Sequence, residues 1–213
     1  MLQFLHFNLE TVMLTFFLKV NKLKRRFLPP PLFDGNDELF KRLLVSSSKY
    51  AEYGCGQSTI WVAENTKASI HSVDSNNDWI NFCQKELGKR KATLQWVDCG
   101  VLGNWGRPLN YEKRNNFSTY AQSIWNDDTP PDVVLIDGRF RVLCFLISLK
   151  YATEGTRIIF DDYINRPNYH IVEEFISRFE ICGRQCLFIA PAKDSIDIEL
   201  LDKMISKFEY VME

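Results

Sequence analysis

The chain has 213 residues, 46% of them hydrophobic, and a formal net charge of −1. This length suits one α/β domain with a sizeable core rather than two domains, and the hydrophobic content excludes disorder throughout. A net charge near zero gives no overall attraction to nucleic acid or anionic lipid, so we expect no nucleic-acid partner. The six cysteines contain no C-x-x-C pair, which favours reduced thiols in a cytoplasmic protein over disulfides or a zinc site.

The first 31 residues form a separate stretch. Residues 1–20 are apolar-rich but interrupted by Glu10 and Lys19, and a basic cluster follows at 22–26. A secretory signal places its charge before the apolar part, and the uncharged stretches are too short to span a bilayer. An accessory helix packed on the domain is preferred over a surface membrane anchor or a poorly ordered extension. The prolines at 29–31 predict a stiff connector, so we place the main domain at 32–213.

Beyond the connector, strand and helix patterns alternate. A strand ends at Tyr53, and the run at 132–137 is continuously apolar, which is typical of a central parallel strand buried on both faces. Alternation of this kind predicts a doubly wound sheet with helices on both faces. The other predicted strands are 69–74, 93–98 and 156–161, with a β-rich stretch at 181–190. The predicted helices are 34–47, 58–64, 77–89, 139–151, 168–179 and 197–210.

A glycine turn follows the first strand, in the sequence Glu52-Tyr-Gly-Cys-Gly56. Gly54 and Gly56 let the backbone turn sharply and approach a ligand, and the helix behind them offers free N–H groups to an anionic group. Asp74 closes the next strand, where a carboxylate can accept hydrogen bonds from ribose hydroxyls. The alternative is an ordinary strand-to-helix turn. We interpret the combination as a nucleoside-cofactor site.

The residues beside the turn distinguish between cofactors. A dinucleotide fingerprint requires a third glycine, but Thr59 stands in its place. Glu52 would repel a pyrophosphate but suits a cofactor with a cationic end. A nicotinamide oxidoreductase is therefore disfavoured. Glu-x-Gly-x-Gly followed by a distant acid resembles motif I of the class I S-adenosylmethionine-dependent methyltransferases.

Acidic residues close the other predicted strands. Asp98, Asp137 and Asp161 each stand at a predicted strand end, as Asp74 does. In open α/β sheets, ligands bind outside the carboxyl ends of the strands. Several carboxylates at one sheet edge therefore predict a lined pocket.

From about Leu28 to Phe188, the chain resembles a class I methyltransferase, and it is most like a bacterial group of methyltransferase-like proteins. The resemblance implies a Rossmann-like, mostly parallel seven-stranded sheet, with S-adenosylmethionine lying across the first two strand ends. It implies no particular acceptor. The stretches that carry it are 52–59, 98–108, 132–141, 160–163 and 172–175.

The resemblance also implies roles within the donor site. The two glycines should approach the donor's amino-acid end, with Glu52 oriented toward its ammonium directly or through water. Asp74 should hold the ribose, and Asp98 or its neighbouring backbone the adenine amine, unless Asp98 caps the turn at 99–103. Trp79 could wall the adenine, although a buried position beside Ile80 is preferred. The predicted donor-site residues are Glu52, Gly54, Gly56, Ser58, Thr59, Asp74 and Asp98.

The acceptor side is expected between the third and fourth strands and after the fourth and fifth. Residues 99–131 are long for a connection, which predicts a lid or binding loop, or else a small satellite core. Arg139 and Arg141 open a helix, where a cation is unfavourable without a partner. Ion pairing with aspartates is slightly preferred over an anionic acceptor. His170 is the candidate general base, with a surface role as the alternative. The candidate catalytic residues are Asp137, Asp162 and His170, and the candidate substrate-binding residues are Trp105, Arg139 and Arg141.

A metal site is the less favoured interpretation of the acids after the fourth and fifth strands. Asp137, Asp161 and Asp162 resemble the acids that hold a divalent cation in catechol-type O-methyltransferases, and their oxygens suit Mg²⁺. Asp162 replaces the usual amide, however, and the nearby arginines can neutralise these carboxylates. A structural network of arginines and aspartates is preferred, so we assign no metal ligand.

The sequence thus predicts an S-adenosylmethionine-dependent methyltransferase that acts on a small-molecule or conjugate acceptor. The alternative is a domain that binds the donor but has lost catalysis and serves regulation or interaction. Detection of a methylated product would separate the two. The sequence assigns neither the acceptor nor the oligomeric state.

Overall fold

A computed structural model describes residues 32–212. The predicted accessory helix, the proline connector and the possible membrane contact fall on residues 1–31 and lie outside the described residues. Within the described part, no helix has the length and apolar character needed to span a bilayer.

One seven-stranded sheet has the order β3-β2-β1-β4-β5-β7-β6. The strands β1 to β5 are parallel, as expected for strands joined by crossover connections. The sheet is nevertheless mixed, because β7 runs antiparallel to both β5 and β6. The strands are β1 Lys49–Tyr53, β2 Ser69–Asp74, β3 Thr93–Trp96, β4 Val133–Ile136, β5 Arg157–Phe160, β6 Glu180–Cys182 and β7 Gln185–Ile189.

Six α-helices cover the sheet in the described part of the chain. Two of them begin two or more residues after the predicted start. The first starts only at Glu38, after a 3-10 turn at Leu32–Gly35 with positive φ at Phe33 and Asp34. The fifth begins at Arg141 rather than at Arg139, because Phe140 takes a left-handed conformation. The helices are α1 Glu38–Leu44, α2 Gln57–Asn65, α3 Asn77–Leu87, α4 Asn115–Gln122, α5 Arg141–Tyr151 and α6 Ile198–Phe208.

The helices pack on both faces of the sheet, as predicted. On one face, α1 and α2 bury Phe40 and Val62 against Tyr50 and Leu135. On the other face, α4, α5 and α6 pack against the alternate residues of the same strands, such as Val134. The central strands are buried on both sides, so their polar groups can reach solvent only where the strands end. The functional site is therefore expected at the strand ends.

Three further expectations, for two segments and one side chain, were wrong. Residues 99–131 contain the unpredicted helix α4, whose Phe117 and Tyr120 are fully buried in the main core. The part of this segment that forms α4 therefore does not act as a lid. Residues 168–179 form a 3-10 segment, Pro167–Glu174, instead of an α-helix. Trp79 is 41% exposed rather than part of the buried stripe of α3, which is formed by Ile80, Cys83 and Leu87.

Candidate active site

The turn after β1 is packed directly against the turn after β4. Gly54 has a φ of +90°, and a Cβ on it would lie 2.8 Å from the Cα of Gly138. A Cβ on Gly138 would in turn lie 2.2 Å from the hydroxyl of Tyr120. Gly54 is therefore required by packing within the protein, whatever ligand the turn receives.

Gly56 stands in open space. The nearest atom to a Cβ at this position is Cζ3 of Trp79, at 4.0 Å. No protein atom thus requires a glycine here, whereas a ligand approaching the backbone at the start of α2 would. Trp79 flanks this opening from the first turn of α3.

Asp74 joins the end of β2 to the glycine turn. Its carboxylate accepts a hydrogen bond from the Cys55 amide at 3.0 Å and another from the Asn76 amide at 2.7 Å. Burial raises the pKa of Asp74, and these two amide donors oppose that rise. The side chain is thus fixed beside the turn, and each carboxylate oxygen retains a lone pair beyond its amide bond.

Glu52 does not face the donor space as expected. Its side chain is fully buried on the face of β1 covered by α2. Its carboxylate accepts hydrogen bonds from Tyr50 at 2.7 Å, Ser58 at 2.6 Å and Ser72 at 2.5 Å, and also from Thr59. Burial raises its pKa, and these hydroxyl donors oppose the rise. Direct contact with a donor ammonium would require these hydroxyls to move away.

The first turn of α2, which is expected to complete the donor site, is held by hydrogen bonds to the buried Glu52. The hydroxyls of Ser58 and Thr59 point to Glu52, and Thr59 also accepts a hydrogen bond from the Gly56 amide at 2.9 Å. These side chains therefore shape the first turn of α2, and its backbone N–H groups are what the turn offers to a ligand.

The region after β3 is held by a local turn and by a bond to the end of β2. Asp98 accepts a hydrogen bond from the Gly100 amide at 3.0 Å, which is the turn-capping alternative considered for it. Beyond it, Gly106 accepts a hydrogen bond from the hydroxyl of Ser75, the residue after Asp74, at 2.9 Å. This bond holds a tight loop that presents Trp105, 85% exposed and with a φ of +60°, at its tip.

Arginines form ion pairs with the acids at the ends of β4 and β5. Arg141 is 3% exposed and pairs with Asp137 at 3.0 Å and with Asp162 at 3.2 Å. It also donates to three backbone carbonyls, those of Gly138, Asp161 and Asp137. Arg141 is consequently a buried link between the two strand ends, and the expected substrate contact from it is wrong. The preferred ion-pair network is present.

The network continues outward through two further arginines. Arg166 pairs with Asp162 at 2.7 Å. Arg184, in the turn between β6 and β7, pairs with the fully buried Asp161 at 2.7 Å and with Asp34 at 2.6 Å. Sequence reasoning missed Arg184, because only the antiparallel pairing of β7 with β5 brings it to this edge.

The three aspartates lie close enough for one ion, with a ligand oxygen from each within 4.8 Å of the others. Each of them is nevertheless already paired with a guanidinium, so the donor set is neutralised by the protein. A hard cation would have to compete with these fixed positive charges. The arrangement does not fit a metal site, and no step is derived through one.

The pKa of Asp137 is shifted by its surroundings. Burial and the neighbouring Asp161 carboxylate raise the pKa of Asp137 to about 8, against the attraction of Arg141. Its side chain remains 31% exposed. A carboxyl group that is partly accessible and titrates near neutral pH is able to exchange a proton with a bound molecule.

The remaining predicted residues lie nearby. Arg139 is half-buried, and its backbone N–H donates to the Tyr120 hydroxyl at 3.3 Å. Burial and the Arg141 guanidinium lower the pKa of Arg139. His170 stacks on Tyr163 with ring centres 4.7 Å apart, and its Nε2 lies 3.2 Å from the Tyr163 carbonyl. If Nε2 carries the proton in that contact, Nδ1 is left as the basic nitrogen.

Among known proteins, solved structures are similar to this chain. No protein-family model matches the chain, and no curated protein matches it. The crystal structure of a methyltransferase-like protein from Silicibacter pomeroyi is 29% identical in sequence and has a TM-score of 0.73, covering 86% of this chain and 95% of that one.

More distant solved structures are also similar. An RNA methyltransferase from Salinibacter ruber, in complex with S-adenosyl-L-homocysteine, is 14% identical with a TM-score of 0.44, covering 77% of this chain and 93% of that one. An N-methyltransferase from Bradyrhizobium japonicum is 16% identical with a TM-score of 0.43, covering 73% and 94%. The resemblance expected from the sequence is confirmed by the Silicibacter similarity: this chain has the fold of the class I S-adenosylmethionine-dependent methyltransferases.

Proposed function

We propose that this protein is an S-adenosylmethionine-dependent methyltransferase acting on a small-molecule or conjugate acceptor. The observation that carries the proposal is the open space in front of Gly56. It lies at the start of α2, with Asp74 fixed beside it. Gly54 is explained by packing, whereas the open space at Gly56 leaves room for a ligand to approach the backbone.

We propose one orientation for the donor in this opening. Its amino-acid carboxylate meets the first turn of α2, where N–H groups and the helix dipole favour an anion. Its ribose hydroxyls meet the free lone pairs of Asp74, and Asp98 or its backbone meets the adenine, with Trp79 against the ring. The donor's sulfonium then points toward the turn after β4, because Gly54 and Gly138 are in direct contact.

The bound donor supplies an electrophilic methyl group, and the chain supplies position and proton exchange. Asp137 lies at the end of β4 with a raised pKa, so its ionised form is a stronger base than an ordinary aspartate and can accept a proton from an acceptor that must lose one. We propose Asp162 and Arg139 as further residues of the acceptor side. Trp105 would provide an apolar contact at the rim, and His170 is retained as a second candidate base.

A second candidate function is a donor-binding domain without catalysis. It is favoured by the arginine network, which occupies the carboxylates at the ends of β4 and β5.

The protein's six free cysteines support the proposal of a cytoplasmic location.

The test of the proposed function has two steps. Small molecules that co-purify with the full chain are identified by mass spectrometry and then offered as acceptors with methyl-labelled S-adenosylmethionine. Transfer of label to an acceptor supports the enzyme. Donor binding with no labelled product across the screen supports the non-catalytic domain, and preferential binding of NADH would refute both.

A further inference from the structure

The carboxylate of Glu52 lies inside the central strand β1, where a charged group is costly unless it is fully hydrogen-bonded. Each of its oxygens accepts two hydroxyl hydrogen bonds. Oε1 accepts from Thr59 and Ser72, and Oε2 accepts from Tyr50 and Ser58. The four hydroxyls come from β1, β2 and the first turn of α2, so one carboxylate joins three elements behind the glycine turn.

The hydrogen bonds continue from Glu52 to the backbone that faces the opening. A hydroxyl has a single proton, and that of Thr59 is directed to Glu52. The lone pairs of Thr59 are then free to accept the Gly56 amide, which lies 2.9 Å away. Glu52 thereby sets the direction of the Thr59 hydroxyl, and through it the direction of the Gly56 amide.

Ser58 is fixed in the same way, because its side chain is bonded to Glu52 at 2.6 Å. Gly56, two residues before Ser58, is the part of this backbone that borders the open space. A change at Glu52 would therefore alter how these amides are aimed, even though Glu52 itself is fully buried.

We infer that Glu52 is a positioning residue, which holds the first turn of α2, through Ser58 and Thr59, in the orientation that receives the donor's amino-acid end. This inference rests on the proposed function. It replaces the expected contact between Glu52 and the donor ammonium with an indirect role. It also explains why an acid stands two residues before the first glycine in a strand that is otherwise apolar or aromatic on this face.

The test compares two nucleosides that differ only at the amino-acid end. S-adenosylhomocysteine carries that end, whereas 5′-methylthioadenosine has the same adenosine and thioether without it. Binding of both to the full chain is measured by calorimetry for the wild type and for Glu52→Gln. We expect the Kd for S-adenosylhomocysteine to rise at least ~10-fold, the scale of one lost hydrogen bond, and the Kd for methylthioadenosine to stay within about twofold.

A second pair of variants tests the connection through the hydroxyl. Thr59→Val removes the hydroxyl and should repeat the selective loss, while Thr59→Ser keeps it and should restore binding of S-adenosylhomocysteine. These variants also decide the matter if Glu52→Gln fails to fold.

Asp132→Asn serves as the matched control. This carboxylate accepts the amides of Ser48 and Lys49 at the opposite edge of the sheet. Its loss should lower the unfolding temperature without changing either affinity.

Each result is decisive. An equal loss for both nucleosides in Glu52→Gln would mean a general structural role and would overturn the inference, as would unchanged affinity for both. Binding of neither nucleoside by the wild type would overturn the proposed function itself, which is a different outcome from wild-type binding with a non-selective variant.

Discussion

Gly54 and Gly138 are in direct backbone contact: a Cβ on Gly54 would lie 2.8 Å from the Cα of Gly138, and a Cβ on Gly138 would lie 2.8 Å from the nitrogen of Gly54. The two glycines follow the adjacent strands β1 and β4. Their contact brings the proposed donor turn beside the acids at the end of β4. Under the proposed function, this contact places the donor's methyl group near an acceptor held at the end of β4.

The two glycines of the donor turn should respond differently to alanine. Gly54→Ala forces a Cβ into backbone at a φ of +90°, so the free energy of unfolding should fall by roughly 1–3 kcal/mol or more. Gly56→Ala meets only Trp79 at 4.0 Å and should unfold like the wild type while losing donor affinity. Thermal unfolding and calorimetry measure the two effects. Full donor binding by Gly56→Ala would contradict the proposed position of the donor.

Asp74→Ala should weaken donor binding because the ribose loses its carboxylate acceptor. A hydrogen bond to a charged group contributes roughly 1.5–3 kcal/mol, so the Kd should rise ~10-fold or more. Calorimetry with S-adenosylhomocysteine measures the change. The control is Asp78→Ala, which removes an exposed acid from the first turn of the neighbouring helix α3 and should leave the Kd unchanged. Equal affinity of Asp74→Ala and wild type would remove the ribose role.

The sequence predicts strand ends well and contacts between distant elements poorly. Asp74, Asp98, Asp137 and Asp161 could be placed at one edge because apolar runs stop directly before them or near them. The hydroxyl partners of Glu52 could not be placed, since Ser72 and Ser58 come together only after β1, β2 and α2 have packed.

Two further differences between the predicted and the observed structure have local causes. Helix α4 was not predicted, because its sequence Asn-Asn-Phe-Ser-Thr-Tyr-Ala-Gln carries few apolar residues and begins with weak helix formers. Trp79 follows the helical spacing of its buried neighbours but lies on the side of α3 that faces the opening. Periodicity assigns such a residue to a face of the helix. Whether that face is covered depends on how the helix packs against the sheet, which the spacing does not show.

Asp161→Asn should destabilise the fold and leave the response to magnesium unchanged. The carboxylate is fully buried and paired with Arg184, and breaking a buried ion pair costs about 3 kcal/mol or more. Asp34→Asn, at the exposed end of the same arginine, should cost at most about 1 kcal/mol. Thermal unfolding is measured with and without Mg²⁺. A rise in the unfolding temperature of the wild type on addition of Mg²⁺, absent in Asp161→Asn, would establish a metal site instead.

Asp137 should make the stability of the protein depend on pH in the direction opposite to an ordinary ion-paired aspartate. Its pKa is about 8 in the folded protein, mainly because of burial and the Asp161 carboxylate, and about 3.9 in an unfolded chain. Between these values the folded state binds the proton more tightly, so this group's contribution to stability is present at low pH and is lost as pH rises toward 8. Asp137→Asn cannot ionise and removes the dependence. Urea unfolding of both proteins at pH 5, 7 and 9 should show the wild type losing stability relative to Asp137→Asn as pH increases, with Asp78→Asn as the control for a lost surface charge. Parallel stability curves for wild type and Asp137→Asn would show that folding does not raise the pKa of Asp137, and would contradict the raised pKa on which its proposed proton exchange near neutral pH rests.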